Sequence, residues 1–316
     1  MERIHTRYGP LAGVATAEFY PGGGIRECTL NQSNPLETRY GILVPQYRDD
    51  GVRRKYTQSL SFYPNGILKS ISLQEQRPVA TPLGAIPAEL LTFYESGALR
   101  RIFPLNGKLS GYWTEANEYG LAEELELELP CAKLRRKIIG IHFYEGGTVR
   151  SITLWPKEHL TLDTPQGRAE ARIGFSLYPA GQLQAFEPFL PLAVATPIGP
   201  VHAYHLNALG IHADATSLTW EADGAVQSLI SSTDRITVIT ADGRRAVYQP
   251  GLRPSLLHEG LREIMPLRIR FTAGKVGFNQ AASEYDLAQA TFSVADLPLA
   301  PEVGAGLCPG CDADRD

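Results

Sequence analysis

Phe62-Tyr63-Pro64-Asn65-Gly66-Ile67-Leu68-Lys69-Ser70-Ile71-Ser72-Leu73 is the stretch that decides the fold class. Pro64 suits the second position of a turn, Asn65 the third, and Gly66 takes a positive φ that a side chain would make costly. This is the chemistry of a three-residue hairpin connection closed by a glycine bulge. The seven residues from Ile67 to Leu73 then read as a strand, with Leu68 and Ser70 on one side and Lys69, Ile71 and Leu73 on the other.

The same pattern returns along the chain. It reads FYPGGGIRECTL from Phe19, FYESGALRRIF from Phe93, FYEGGTVRSITLW from Phe143 and SLYPAGQLQAF from Ser176, with a weaker copy, LTWEADGAVQSLI, from Leu218. Gly23, Gly66, Gly97, Gly147, Gly181 and Gly224 mark one place in each copy. Their spacing is irregular, so some intervals hold additional hairpins, and Asn106-Gly107 is the expected centre of one, with Tyr112 and Trp113 ending its return strand. A second element, T-P-x-G, occurs at Thr81, Thr164 and Thr196 and is a turn signature of its own. Pro10-Leu11-Ala12-Gly13 is read as its faint N-terminal relation. Compared with the other two, the copy at Thr196 carries an insertion spanning Ala203 to Thr216.

Repeats of this kind cannot bury an apolar face singly and are stabilised by their neighbours. The expected architecture is all-β: an extended or curled antiparallel sheet of imperfect β-hairpin repeats with few short helices. Glu124-Leu125-Glu126-Leu127-Glu128-Leu129 reads as a strand with a wet glutamate face and a dry leucine face. Short helices are expected at Pro254 to Met265, where Leu256, Leu257, Leu261 and Ile264 lie near helical spacing, and at Ser283 to Gln289. One repeat domain is expected over 1–297, with a subdivision near 131–140 as the alternative, followed by a flexible tail over 298–316 rich in Pro, Gly and Asp.

The aromatic-tyrosine-x-x-glycine-x-aliphatic-basic pattern resembles the MORN repeat family in its variant form, found in many bacterial proteins. It is carried by Phe62, Tyr63, Gly66, Leu68 and Lys69, by Phe93, Tyr94, Gly97, Leu99 and Arg100, and by Phe143, Tyr144, Gly147, Val149 and Arg150. The resemblance implies a ladder of β-hairpins of a kind sometimes used to bind proteins or lipids, with no catalytic residue attached to the repeat. The chain departs from the family in its long intervals and in its T-P-x-G turns.

Composition bounds the function. Apolar residues make up 43% of 316, enough for a substantial core, and 30 Lys and Arg against 34 Asp and Glu leave a net charge of −4. That balance argues against a nucleic-acid binder, even beside the basic run Leu134-Arg135-Arg136-Lys137. Peripheral membrane contact is a lesser alternative that would require a contiguous basic and aromatic face. No stretch approaches the ~18 apolar residues of a transmembrane helix. The start, MERIHTRYGPLAG, carries no basic-then-apolar signal, and four scattered cysteines form no disulfide framework, so a reducing cytoplasm is the expected setting.

Nucleotide-binding, metalloprotease and nucleophile-elbow motifs are absent from the sequence. No catalytic or cofactor-binding residue is assigned, and whether the chain is an enzyme stays open. Two clusters carry ligand chemistry. His202, His205 and His212 with Asp214 are ordinary metal ligands or hydrogen-bonding groups, although on a continuous strand His202 and His205 face opposite ways. Cys308 and Cys311 form a C-x-x-C pair without the second pair that a zinc site needs. The leading expectation is a soluble β-repeat scaffold that binds another protein, with its specific surface in the insertion between Thr196 and Gly224. The alternative is a small-ligand-binding protein or enzyme with a pocket near 202–214.

Overall fold

The computed structural model describes residues 4–54, 58–208, 216–255, 260, 262–279 and 284–297. Strands hold 59% of the described residues and helix 3%, the one helix among them being Glu115–Leu121. The expected all-β class is therefore what forms. No helix among the described residues is long and apolar enough to cross a membrane. The chain divides into two compact units, one of residues 1–129 and 133–155, the other of residues 130–132 and 156–316.

In the first unit eight strands pair antiparallel in chain order: Val14–Phe19, Ile25–Leu30, Leu60–Phe62, Leu68–Thr81, Gly84–Phe93, Leu99–Phe103, Ala132–Phe143 and Val149–Leu154. Their registers align one apolar file straight across the sheet. Cys28 opposes Leu60, and the file continues through Ile71, Leu91, Ile102, Ile141 and Ile152, each 1% exposed or less. Each such aliphatic side chain contributes roughly 1.5–3 kcal/mol by leaving water. The neighbouring residue on each strand faces the other way, giving a parallel file of Glu27, Ser61, Ser70, Thr92, Arg101, His142 and Ser151. A one-residue slip in any of these strands would put a polar side chain against an apolar one, so the register is fixed by both faces at once.

Every aromatic hairpin in the series closes identically. The tyrosine N–H donates to the carbonyl four residues on, and the marker glycine N–H donates back to the tyrosine carbonyl, as in Tyr63 with Ile67 and Gly66. Gly66 has φ +80°, which only glycine adopts without strain. The tyrosine hydroxyl then ties each hairpin to the next. Tyr20 donates to the Phe62 carbonyl, Tyr63 to Phe93 and Tyr94 to Phe143, at 2.8 to 2.9 Å. The strand after Gly66 differs from simple alternation: Leu68 opposes Phe62 while Ser70 opposes Ser61, so Lys69 is a bulge residue. Leu68 thereby turns into the core beside Ile71 and Leu73 instead of sharing a face with Ser70.

Among the described residues one form of T-x-x-G turn stands at Thr6, Thr38, Thr81, Thr164 and Thr196. In each, the threonine hydroxyl accepts from the N–H two residues on and donates to the glycine carbonyl. The N-terminal relation is thus Thr6–Gly9, not Pro10 to Gly13, because Arg7 and Arg39 replace the proline while the threonine keeps the turn. Tyr8 and Tyr40 in the first two copies accept from Leu68 N and Leu99 N at 3.1 and 2.6 Å, pinning these turns to the aromatic hairpins.

The second unit repeats the plan with His159–Thr164, Gly167–Leu177, Leu183–Pro188, Leu218–Trp220, Val226–Ser231, Leu267–Thr272, Lys275–Phe278 and Glu284–Asp286. Its apolar file is Phe175, Phe186, Leu218, Leu229, Ile269 and Phe278, again each 1% exposed or less. Tyr178 ties its hairpin to the Trp220 carbonyl at 2.9 Å. A smaller sheet places Asp234–Thr240 between Arg245–Tyr248 and Ala290–Asp296.

Three expected elements form differently. Asn106-Gly107 makes no hairpin; its two N–H groups bind the Glu89 and Glu118 carboxylates at 2.7 and 2.8 Å, and Trp113 leads into a helix capped by Thr114. The segment expected as a helix near Pro254 is a hairpin of Gly251–Pro254 with Arg262–Met265, residues 256–259 and 261 lying outside the described set. Ser283 is likewise outside it, and the residues from Glu284 onward form the Glu284–Asp286 strand and a turn, not a helix. In both places strand pairing outweighs a helix-like spacing that no cap supports. Glu124–Leu129 is the expected strand, with Leu127 and Leu129 buried and its glutamates exposed.

Candidate functional site

The bulge that re-aims Lys69 recurs in each aromatic hairpin of the first unit. Phe19 opposes Ile25 while Glu18 opposes Glu27, leaving Arg26 unopposed; the same shift leaves Arg100 and Arg150 unopposed. A bulged residue leaves the pleat and its side chain is redirected. Here it lies over the hairpin's tyrosine: Lys69 is 5.8 Å from the Tyr63 ring centre, Arg100 5.7 Å from Tyr94 and Arg150 5.6 Å from Tyr144. Arg26 instead pairs with Glu18, and more distantly with Glu27 at 3.6 Å. The four cations sit on every second strand of the sheet, so successive members are about 9.6 Å apart. In the second unit the equivalent bulge positions hold Gln184 and Gln227, and the charge series is missing there.

A cavity of about 820 Å³ opens along these strands. Arg26, Lys69, Arg100 and Arg101 line it with Glu27 as the lone carboxylate, among Tyr20, Phe62, Tyr63, Phe93 and Phe103. Its floor includes Ser61 and Ser70, whose hydroxyls bond one another at 2.6 Å, and Thr92. The volume lies in the range of small-molecule and peptide sites, and its walls combine cations with aromatic rings.

A separate ion network in the first unit is structural. Arg53 bonds both oxygens of Glu89 at 3.0 and 2.8 Å and both oxygens of Glu118 at 2.9 and 2.8 Å. Glu118 also accepts from Trp113 Nε1 at 2.6 Å and from Gly107 N. Burial raises the Glu118 carboxyl, but the bonds from Arg53 and Trp113 outweigh it and hold the group below the usual carboxylate range. Burial likewise pulls Arg53 down, and its bonds to Glu118 and Glu89 win, leaving it above its ordinary value. The clamp fastens the Pro104 to Trp113 segment and the helix onto the sheet.

Of the histidine cluster in the sequence, the two described members, His202 and His205, turn to different partners. His202, on Gly199–Ala203, donates its main-chain N–H to Asp234 Oδ2 at 2.7 Å and sets Nδ1 3.0 Å from Asp234 Oδ1 and 3.6 Å from Asp296 Oδ1. His205 lies beyond the strand end and turns elsewhere, its main-chain N–H reaching Glu187 Oε1 at 3.1 Å. Burial, then the charges of Arg268 and Arg172, lower the His205 pKa. Burial raises the Glu187 carboxyl despite bonds from Ser217, His205 N and Arg172. His212 and Asp214 of the sequence cluster, and Cys308 and Cys311, lie outside the described residues. Asp234 and Asp296 carry no local signal: strand pairing brings the two together, and His202 reaches them from a separate two-stranded sheet.

Comparison with known proteins adds no relative: no family model, no curated protein and no solved structure matches the chain.

Proposed function

We propose that this protein is a binding module of MORN-like hairpins whose first unit takes an extended acidic segment of another protein. The supporting observation is the series of bulge cations at two-strand intervals, seated on tyrosines beside an aromatic-lined cavity. A polyproline II chain has three residues per turn and rises ~3.1 Å per residue, so every third side chain recurs on one face after about 9.3 Å. That repeat fits the ~9.6 Å between alternate strands. Such chains dock in aromatic grooves, and acidic side chains at every third position would meet Lys69, Arg100 and Arg150 in turn. Cation–π contact holds each basic head in place and lowers the ordering cost of binding. A cytoplasmic setting belongs to this reading and is supported by Cys28 and Cys131, both buried free thiols.

The test is fluorescence anisotropy with three labelled probes: a proline-rich peptide with glutamate at every third position, its isomer with the same glutamates in one block, and a polythymidine strand of equal charge. The periodic peptide binds most tightly, weakens with salt as exposed ion pairs do, and loses about tenfold or more with Lys69→Glu/Arg100→Glu. Equal binding of both peptides, or preference for the polynucleotide, overturns the reading.

A further inference from the structure

The His202 corner of the second unit is built as a ligand set, independently of the cation series. Asp234 is the first residue of Asp234–Thr240 and Asp296 the last of Ala290–Asp296, and the register places them directly opposite one another. Like charges facing across an antiparallel pair are destabilising, and Asp234 is fully buried, which compounds the cost. Between them stands one imidazole nitrogen. One oxygen of Asp234 is already committed to the Ser231 hydroxyl at 2.6 Å and to His202 N, leaving Oδ1 directed at the histidine. The end of the Asp296 strand is fastened by Leu297 N to the Thr233 carbonyl at 2.6 Å. Asp296 itself is 82% exposed, so the corner is open to solvent on that side.

We infer that His202, Asp234 and Asp296 bind a divalent transition-metal ion of the zinc class. Their three ligand atoms, one nitrogen and two carboxylate oxygens, all lie within 4.8 Å of one another. Two ligands at ~2.0–2.2 Å from one ion, separated by a right to tetrahedral angle, stand roughly 2.8–3.6 Å apart, and the nitrogen is 3.0 and 3.6 Å from the two oxygens. Imidazole with carboxylates suits Zn²⁺ better than Mg²⁺ or Ca²⁺, which take oxygen sets. Ser231 and the His202 main chain supply the outer hydrogen bonds that orient the buried ligand. The ion would neutralise the opposed aspartates and tie Gly199–Ala203 to the small sheet, leaving its remaining positions to water or a ligand.

The experiment is calorimetric titration of zinc chloride into chelator-treated protein carrying Cys308→Ser and Cys311→Ser, so that the C-x-x-C pair makes no contribution. One ion per chain is expected, with affinity reduced tenfold or more by His202→Ala and by Asp296→Asn, and a zinc-dependent rise in Tm that both variants lose. Asp296 is at an exposed strand end, so its variant separates ligand loss from misfolding. Absence of saturable binding, or binding unchanged in both variants, overturns the assignment and leaves the cluster as a histidine–aspartate hydrogen bond.

Discussion

Arg53→Met should be among the most destabilising single changes in the first unit. The guanidinium makes four hydrogen bonds to Glu89 and Glu118, whose side chains are 7% and 5% exposed. Removing it strands two carboxylates in a poorly hydrated place, and breaking a buried pair in this way costs about 3–5 kcal/mol. That is a large share of the roughly 5–15 kcal/mol that holds a domain folded. The sign of the pH dependence is diagnostic. In the native protein the Glu118 pKa is depressed, so its contribution is complete above the ordinary carboxylate value and is lost as pH falls through the folded pKa. Without Arg53 the burial that raises this carboxyl gains weight, and moderate acid should relieve the stranded charges. Urea unfolding at pH 7 and pH 5 checks both points: the variant loses ~3–5 kcal/mol at pH 7 and recovers part of it at pH 5, while the wild type does not gain. Adding Glu89→Gln and Glu118→Gln should restore much of the loss. A deficit below ~1 kcal/mol, or the same pH slope in both proteins, would refute the clamp.

Tyr94→Phe removes the hydroxyl that joins its hairpin to the Phe143 carbonyl and should cost about 0.5–1.5 kcal/mol in urea unfolding, whereas Tyr112→Phe, at a residue 87% exposed, should cost nothing measurable. Burial pushes the Cys28 thiol up to about 12 and, as the largest influence, Cys131 up to about 11. In the Cys308→Ser/Cys311→Ser protein neither should react with a disulfide reagent at pH 8 until denaturant is added, and fast labelling in the native state would contradict their placement.

Much of the fold was legible because it is written locally and then repeated. Gly66 and its five counterparts announce hairpins through backbone conformation, and the residues before each turn supply the apolar file. What misled was also local. The bulge at Lys69 is invisible to strict alternation, which is why Leu68 reads onto the wrong face. Asn106-Gly107 has the composition of a tight turn, yet its amides serve two carboxylates contributed by Gly84–Phe93 and the helix. The threonine of T-x-x-G proved more informative than its proline, for it alone makes both side-chain hydrogen bonds at Thr6 and Thr38. The sites were scarcely legible. Lys69, Arg100 and Arg150 hold the basic position of the repeated motif, but only the register shows them, with Arg26, bulged at regular intervals. Asp234 and Asp296 are paired across distant segments and meet His202 from another sheet, which spacing along the chain does not encode.

Reversal of charge preference tests the central claim most directly. With Lys69→Glu, Arg100→Glu and Arg150→Glu combined, and native folding verified by circular dichroism, the protein should lose the glutamate-every-third peptide and gain the equivalent peptide with lysine at those positions. Unchanged preference for the acidic peptide, or no measurable affinity of the wild type for it, would show that the cation series of the first unit is not its binding surface.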